Sequence, residues 1–169
     1  MPPLINPITL FFASVFTSNI LLTNFLGMCS FISISKDWKS SFGLGMAVTF
    51  VMTITAAVSW AVLHLVLIPL GIEYLSFIVF IIVIAAVVQI LEMVIDRSSP
   101  ALYLSLGIFL PLITVNCAIL GAILFIQIRS YSFIQTVSFG AGSGLGWWLA
   151  ILLLSAIRER VDKNPVPAG

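Results

Sequence analysis

Charge is what this sequence has least of. Only 8% of its 169 residues are Asp, Glu, Lys or Arg, and it has a single histidine, where soluble domains carry roughly 25% charge. With 61% of residues hydrophobic, a water-soluble globular domain is excluded. No basic patch interrupts the apolar runs, so nucleic acid is not an expected partner. Two cysteines, Cys29 and Cys117, are too few for a disulfide scaffold and form no Cys-x-x-Cys pair. The N-terminus Met1–Pro7 lacks the positive flank and small-residue cleavage site of a signal peptide, so its first span is expected to remain in the mature protein. The glycines of Gly140–Gly146 follow no strand, which argues against a nucleotide loop and for close helix contact.

What is present is a series of long uncharged runs, over 1–35, 40–72, 74–91, 98–128 and 130–157. Each can supply the ~20 apolar residues of a membrane-crossing helix. The expected fold is an all-α membrane protein, a polytopic helix bundle in a single integral membrane domain, 1–169. Spans are expected at about 7–22, 42–68, 74–95, 101–126 and 133–157. A loop at 29–41 and a polar tail at 158–169 complete the chain. Lys36, Lys39, Arg97, Arg158, Arg160 and Lys163 fall on one side of this arrangement and Arg129 alone on the other. Basic residues collect in the cytoplasm, so loop 29–41 and the tail are expected inside and the N-terminus outside.

Gly43-Leu-Gly45 and Gly144-Leu-Gly146 each open a long apolar stretch after a cysteine. Three spans separate them, which reverses direction in the membrane and suggests an inverted-topology repeat. Repeat 1 covers about 7–95. Repeat 2 covers about 100–157 and is one span short of the three-plus-three pattern.

The chain is organised around Gly107–Gly121. Pro111 disfavours a straight helix there, Thr114 and Asn116 place polar atoms in an uncharged run, and Cys117 adds a soft sulfur. Cys29 sits in a similar setting, Asn24–Phe31, where Asn24 and Gly27 disfavour continued helix. Two broken helices, each carrying a cysteine, are therefore expected. Irregular backbone at membrane depth must face protein or a cavity, not lipid. Buried thiols are often inert packing; as ligands they suit an iron–sulfur cluster, zinc or copper(I). A cluster normally takes four thiolates, so for that ligand two cysteines are half a set, which a related neighbouring chain could complete. Weaker candidates are His64, near the end of span 2, and Glu92, beside Gln89 and close to Asp96 and Arg97. Trp147 and Trp148 read as lipid-interface or helix-packing aromatics.

Asn24–Phe31, Gln89–Met93, Leu106–Gly121 and Ala156–Arg160 resemble the small paired membrane subunits of two related complexes. These are the sodium-translocating NADH:quinone oxidoreductase and the Rnf-type ferredoxin:NAD oxidoreductase. Gly142–Trp147 and Asp96-Arg97 look most like the E-type subunits of the former. The resemblance implies a membrane component of the bacterial inner membrane that is catalytic only within its complex. It implies that Cys29 and Cys117 co-ligate one intramembrane [2Fe–2S] cluster with a homologous D-type subunit of opposite topology. The chain itself would bind neither flavin nor NAD; other subunits hold flavin and oxidise NADH, quinone is reduced and sodium exported. The equivalent Rnf-type role, or a small inverted-repeat transporter, are the alternatives. Family members continue past Val166–Gly169 into a further apolar helix, which is expected either to lie outside this sequence or to be dispensable.

Overall fold

The computed structural model describes residues 5–35, 38–98, 113–114 and 116–163. Every regular element among them is helical. Helix α1 (Pro7–Val15) starts on Pro7, whose missing N–H falls where a helix has no partner for it. It ends at Phe16–Ser18, and Asn19 opens α2 (Ile20–Asn24) by accepting the Leu21 N–H at 3.1 Å. Two left-handed residues, Phe25 (φ 55°) and Gly27 (φ 87°), then stop α2 and redirect the chain into α3 (Met28–Ile34). Helix α4 (Trp38–Val62) continues through a π turn (Leu63–Leu67) and Ile68–Leu70, ending on left-handed Gly71. A 3₁₀ turn, Glu73–Leu75, leads into α5 (Ser76–Ser98). Asn116 caps α6 (Cys117–Ile128), and α7 (Phe133–Lys163) closes the described chain.

Three of these segments are long and apolar enough to cross a membrane: Trp38–Leu70, Glu73–Val94 and Phe133–Lys163. The first expected span, 7–22, is instead divided between α1 and α2. The stretch 29–41 is not a loop: most of it belongs to α3 and the start of α4. Its apolar character hides a short helix that the nearby charges at 36–39 obscure. The tail is helical through Lys163, where Lys163 Nζ meets Glu159 Oε1 at 2.7 Å one turn away. Pro111 lies outside the described residues.

Glycines set how closely α7 approaches its neighbours. A Cβ on Gly144 would lie 2.8 Å from Thr49 Cα, and one on Gly142 would lie 2.7 Å from the Phe11 carbonyl oxygen. Gly140 repeats the α4 contact one turn earlier, and Gly146 the α1 contact one turn later. Two small-xxx-small rows on one helix thus pack two partners backbone to backbone, the means by which helices associate where lipid offers no hydrophobic drive. Residue numbers rise together along α1 and α7 (Phe11 with Gly142, Val15 with Gly146) and oppositely along α4 and α7 (Gly45 with Trp148, Ala56 with Gly140). Helices α1 and α7 are therefore parallel and α4 is antiparallel to both.

Hydrogen bonds tie off the two ends. At one end Gln135 donates to the Ile5 carbonyl (2.9 Å), Trp60 Nε1 to the Tyr131 carbonyl (3.0 Å) and Gln127 to Ser76 (3.0 Å). At the other, Arg158 donates to the Ile32 carbonyl (3.1 Å) and Ser41 to the Ile34 carbonyl (3.0 Å). Ile20, Leu44, Met52, Ile119, Trp147 and Ile151 are fully buried between these ends, while Phe12, Leu22, Phe50, Ile82 and Leu153 are exposed. Large apolar side chains directed outward suit a bundle whose solvent is hydrocarbon.

Candidate functional site

The two cysteines stand at the starts of interrupted helices. Cys117 is the first residue of α6 and is half-buried; Cys29 is the second residue of α3 and is exposed. The Gly27 backbone N–H donates to Cys117 Sγ at 2.9 Å. That bond joins the two breaks across 90 residues of sequence. It requires Gly27 to turn in the left-handed region, which residues with a Cβ rarely enter.

The directions of the helices explain why the breaks meet. From Gly27, α3 runs toward the end where Arg158 reaches Ile32. From Cys117, α6 runs toward the end where Gln127 reaches Ser76. Their N-termini therefore face each other inside the bundle, at the level of Trp147, near the middle of α7. At 1.5 Å per residue the twelve residues of α6 place Cys117 about 18 Å from the bundle end, near mid-depth of a ~30 Å hydrocarbon core. Helix N-termini carry unpaired N–H groups and the positive end of the macrodipole, so their convergence favours an anionic group.

The walls of this point are closely fitted. A Cβ on Gly27 would lie 2.6 Å from Trp147 Nε1, 3.1 Å from Ala118 Cβ and 3.3 Å from Asn116 Oδ1. Asn116 Oδ1 accepts the Ala118 N–H at 3.0 Å and so fixes the first turn of α6. An apolar cleft of about 290 Å³ opens beside Cys117, lined by Ile81, Ile84, Ala85, Thr114, Asn116 and Leu120. Among the described residues no group of three or more His, Cys, Asp and Glu could hold a metal ion. Cys29 is exposed on the bundle surface.

The weaker candidates lie elsewhere. His64 is exposed, stacks on Trp60 with ring centroids 4.1 Å apart, and holds Nδ1 3.0 Å from the Trp60 carbonyl oxygen. It borders a cavity of about 160 Å³ with Ser59, Glu73 and Gln127, far along α4 from the cysteines. Glu92 is half-buried and forms no ion pair with Arg97 among the described residues. Trp148 packs edge-on against Phe42 at 5.1 Å. Trp147 is wholly buried beside Gly27; in the sequence its place was legible only as packing. Asn19 escaped sequence reasoning as well: its Nδ2 donates to the Val15 and Gly146 carbonyls at 3.1 and 2.8 Å. An amide inside an uncharged run was the available signal.

Comparison with known proteins places this chain in a family. A family profile described as Rnf-Nqr subunit, membrane protein, matches residues 7–168. The chain is 51% identical over 168 residues to the E-type subunit of the Na(+)-translocating NADH-quinone reductase of Photorhabdus laumondii, covering 96% of this chain and 85% of the relative. It is 49% identical over 174 residues to the protein of the same name from Idiomarina loihiensis, covering 97% and 86%. It is 50% identical over 159 residues to the A-type subunit of the ion-translocating oxidoreductase complex of Methanosarcina acetivorans, covering 94% and 80%. The chain belongs to the Rnf-Nqr family of membrane subunits.

Proposed function

We propose that this chain is a membrane component of an ion-translocating oxidoreductase complex in which Cys29 and Cys117 supply two of the four thiolates of an intramembrane [2Fe–2S] cluster. The observation that carries the proposal is the Gly27 N–H to Cys117 Sγ bond, which brings two cysteine-bearing helix starts to one point. The residues present fit such a group. Two soft sulfurs, two facing helix N-termini and an exposed Cys29 suit an anionic cluster completed from outside the chain. When bound, a [2Fe–2S] cluster accepts and releases one electron at a time. The protein's part is to hold the thiolates rigidly through the Asn116 cap and the Gly27 turn, and to keep water out with Trp147, Ile20 and Ile119.

The partner that completes the site is a homologous chain of opposite topology, and electrons pass through the pair between the two membrane faces. In the leading reading NADH is the donor, other subunits carry flavin, quinone is the acceptor and sodium is exported. The membrane is a bacterial inner membrane, with the N-terminus outside and the Lys39 and Arg158–Lys163 end in the cytoplasm. The A-type relative, about as similar as the E-type relatives, supports an equivalent ferredoxin-linked complex as the second reading.

The experiment is Cys117→Ser in the assembled complex, scored by iron per complex and by quinone reduction. Serine keeps the size but replaces a soft ligand with a hard, poorly ionised hydroxyl. Loss of both is expected. Normal iron with normal flux would overturn the proposal.

A further inference from the structure

Buried polar atoms without partners are costly, so a fixed one near a site asks for an explanation. Among the described residues those atoms include the hydroxyls of Thr55, Ser59, Thr136, Ser143 and Ser155, and three N–H groups: Asn116 Nδ2, Trp147 Nε1 and Trp148 Nε1. The hydroxyls are on long helices, where rotation can bring them to a carbonyl one turn back. The N–H groups have no such freedom. Trp148 lies against Phe42 and Gly45, away from the cysteines. Asn116 and Trp147 both face the helix break.

Neither orientation is arbitrary. The bond from Ala118 N–H to Asn116 Oδ1 (3.0 Å) fixes which end of the amide is oxygen, so the NH₂, on the residue preceding Cys117, is left without an acceptor among the described residues. Asn19 plays the same capping part at α2, yet its NH₂ is used fully, on Gly146 and Val15. Trp147 is 0% exposed, and its Nε1 lies against Gly27, whose own N–H already bonds Cys117 Sγ. The Trp147 indole N–H and the Asn116 amide thus both border Gly27, whose own N–H meets Cys117 Sγ, and among the described residues only the Gly27 N–H has an acceptor.

We propose that the Gly27 N–H, Trp147 Nε1–H and Asn116 Nδ2–H₂ form a hydrogen-bond cradle for the sulfur atoms of the group bound at Cys117, and that the cradle raises that group's reduction potential. This rests on the cluster reading above. Donors stabilise the extra negative charge of the reduced form more than the oxidised form, so hydrogen bonds to sulfur shift the potential upward. Trp147 and Asn116 are in this sense potential-setting residues and are not ligands.

The test uses the assembled complex and four forms: unmodified, Trp147→Phe, Asn116→Ser and Trp148→Phe. Phe removes the indole donor, and Ser keeps a capping oxygen while removing the amide. Iron and acid-labile sulfide are measured first, then the midpoint potential is taken from an EPR-monitored redox titration. Trp147→Phe and Asn116→Ser are each expected to retain iron and to lower the equilibrium constant for one-electron reduction about tenfold, a shift of about 59 mV to more negative potential. Trp148→Phe should leave the midpoint unchanged. Should Trp147→Phe fail to assemble, the Asn116→Ser titration decides alone. An unmoved midpoint in iron-bearing Trp147→Phe and Asn116→Ser complexes overturns the cradle and leaves the cluster standing; so does an equal shift in Trp148→Phe. An unmodified complex without iron and sulfide brings down the cluster reading, and the cradle with it.

Discussion

Replacing Gly27 with alanine should damage this protein through two separable effects. Gly27 turns at φ 87°, a conformation that costs a residue with a Cβ about 1–2 kcal/mol. The new methyl would also lie 2.6 Å from Trp147 Nε1, on a ring that is fully buried and unable to move aside. Overpacking of that kind costs about 1–3 kcal/mol. The sum is about 2–5 kcal/mol. Gly71 supplies the control, because it turns at φ 67° with nothing within 4 Å of an added Cβ. Gly71→Ala should therefore show only the backbone cost, about 1–2 kcal/mol. The loss of unfolded-state freedom on Gly→Ala exchange is common to both and cancels in the comparison. Equilibrium unfolding of the two variants in mixed detergent micelles measures the difference, and iron per complex measures its effect on the site. Gly27→Ala should be the less stable by at least about 1 kcal/mol, the low end of the overpacking cost, and should lose iron where Gly71→Ala keeps it. Equal stability with equal iron would refute the account of the Gly27 turn.

Gly144→Ala should separate α4 from α7, because the added methyl meets Thr49 Cα at 2.8 Å and backbone cannot rotate away; unfolding measurements should show a loss of about 1–3 kcal/mol. Gly121→Ala meets only the far end of the Leu26 side chain and should be the milder change in the same assay. Lys163→Ala should cost no more than about 0.5 kcal/mol, since the Lys163–Glu159 pair has side chains 72% and 51% exposed and such pairs are weak. For orientation, Lys39→Cys and Ser130→Cys, both at exposed positions in a chain lacking the native cysteines, should label from opposite faces, Ser130→Cys from outside. Labelling of both from one face would overturn the topology.

The sequence made the class of fold and the turn that opens the candidate site legible for simple reasons. Long uncharged runs admit few structures in lipid, and Gly27 beside Cys29 announced a turn that the Gly27 φ realises. The glycines at 140–146 likewise read correctly as helix contacts. Less legible was everything that depends on a single residue adopting an unfavoured conformation or cap. Phe25 turns left-handed without being glycine, so the end of α2 left little trace in composition, as did the break at Phe16–Ser18 that divides the first span into α1 and α2. Helix α3 is too short and too close to Lys36 and Lys39 to be separated from a loop by periodicity. The helical part of the tail, through Lys163, follows from the length of α7 and the Glu159–Lys163 spacing, which composition showed only as polar. Trp147 could not be placed beside Gly27 without tertiary contacts, because the two are far apart in sequence and only the α7 packing brings the indole to that turn.

The central claim is that Cys29 and Cys117 hold iron together at mid-depth in the membrane. Anomalous diffraction at the iron edge, on the complex assembled with its homologous partner, tests it most directly. The account predicts iron density contiguous with both Sγ atoms, at the level of Trp147 and bounded on the far side by two thiolates of another chain. Iron located elsewhere, with the two sulfurs packed only against side chains, would contradict it.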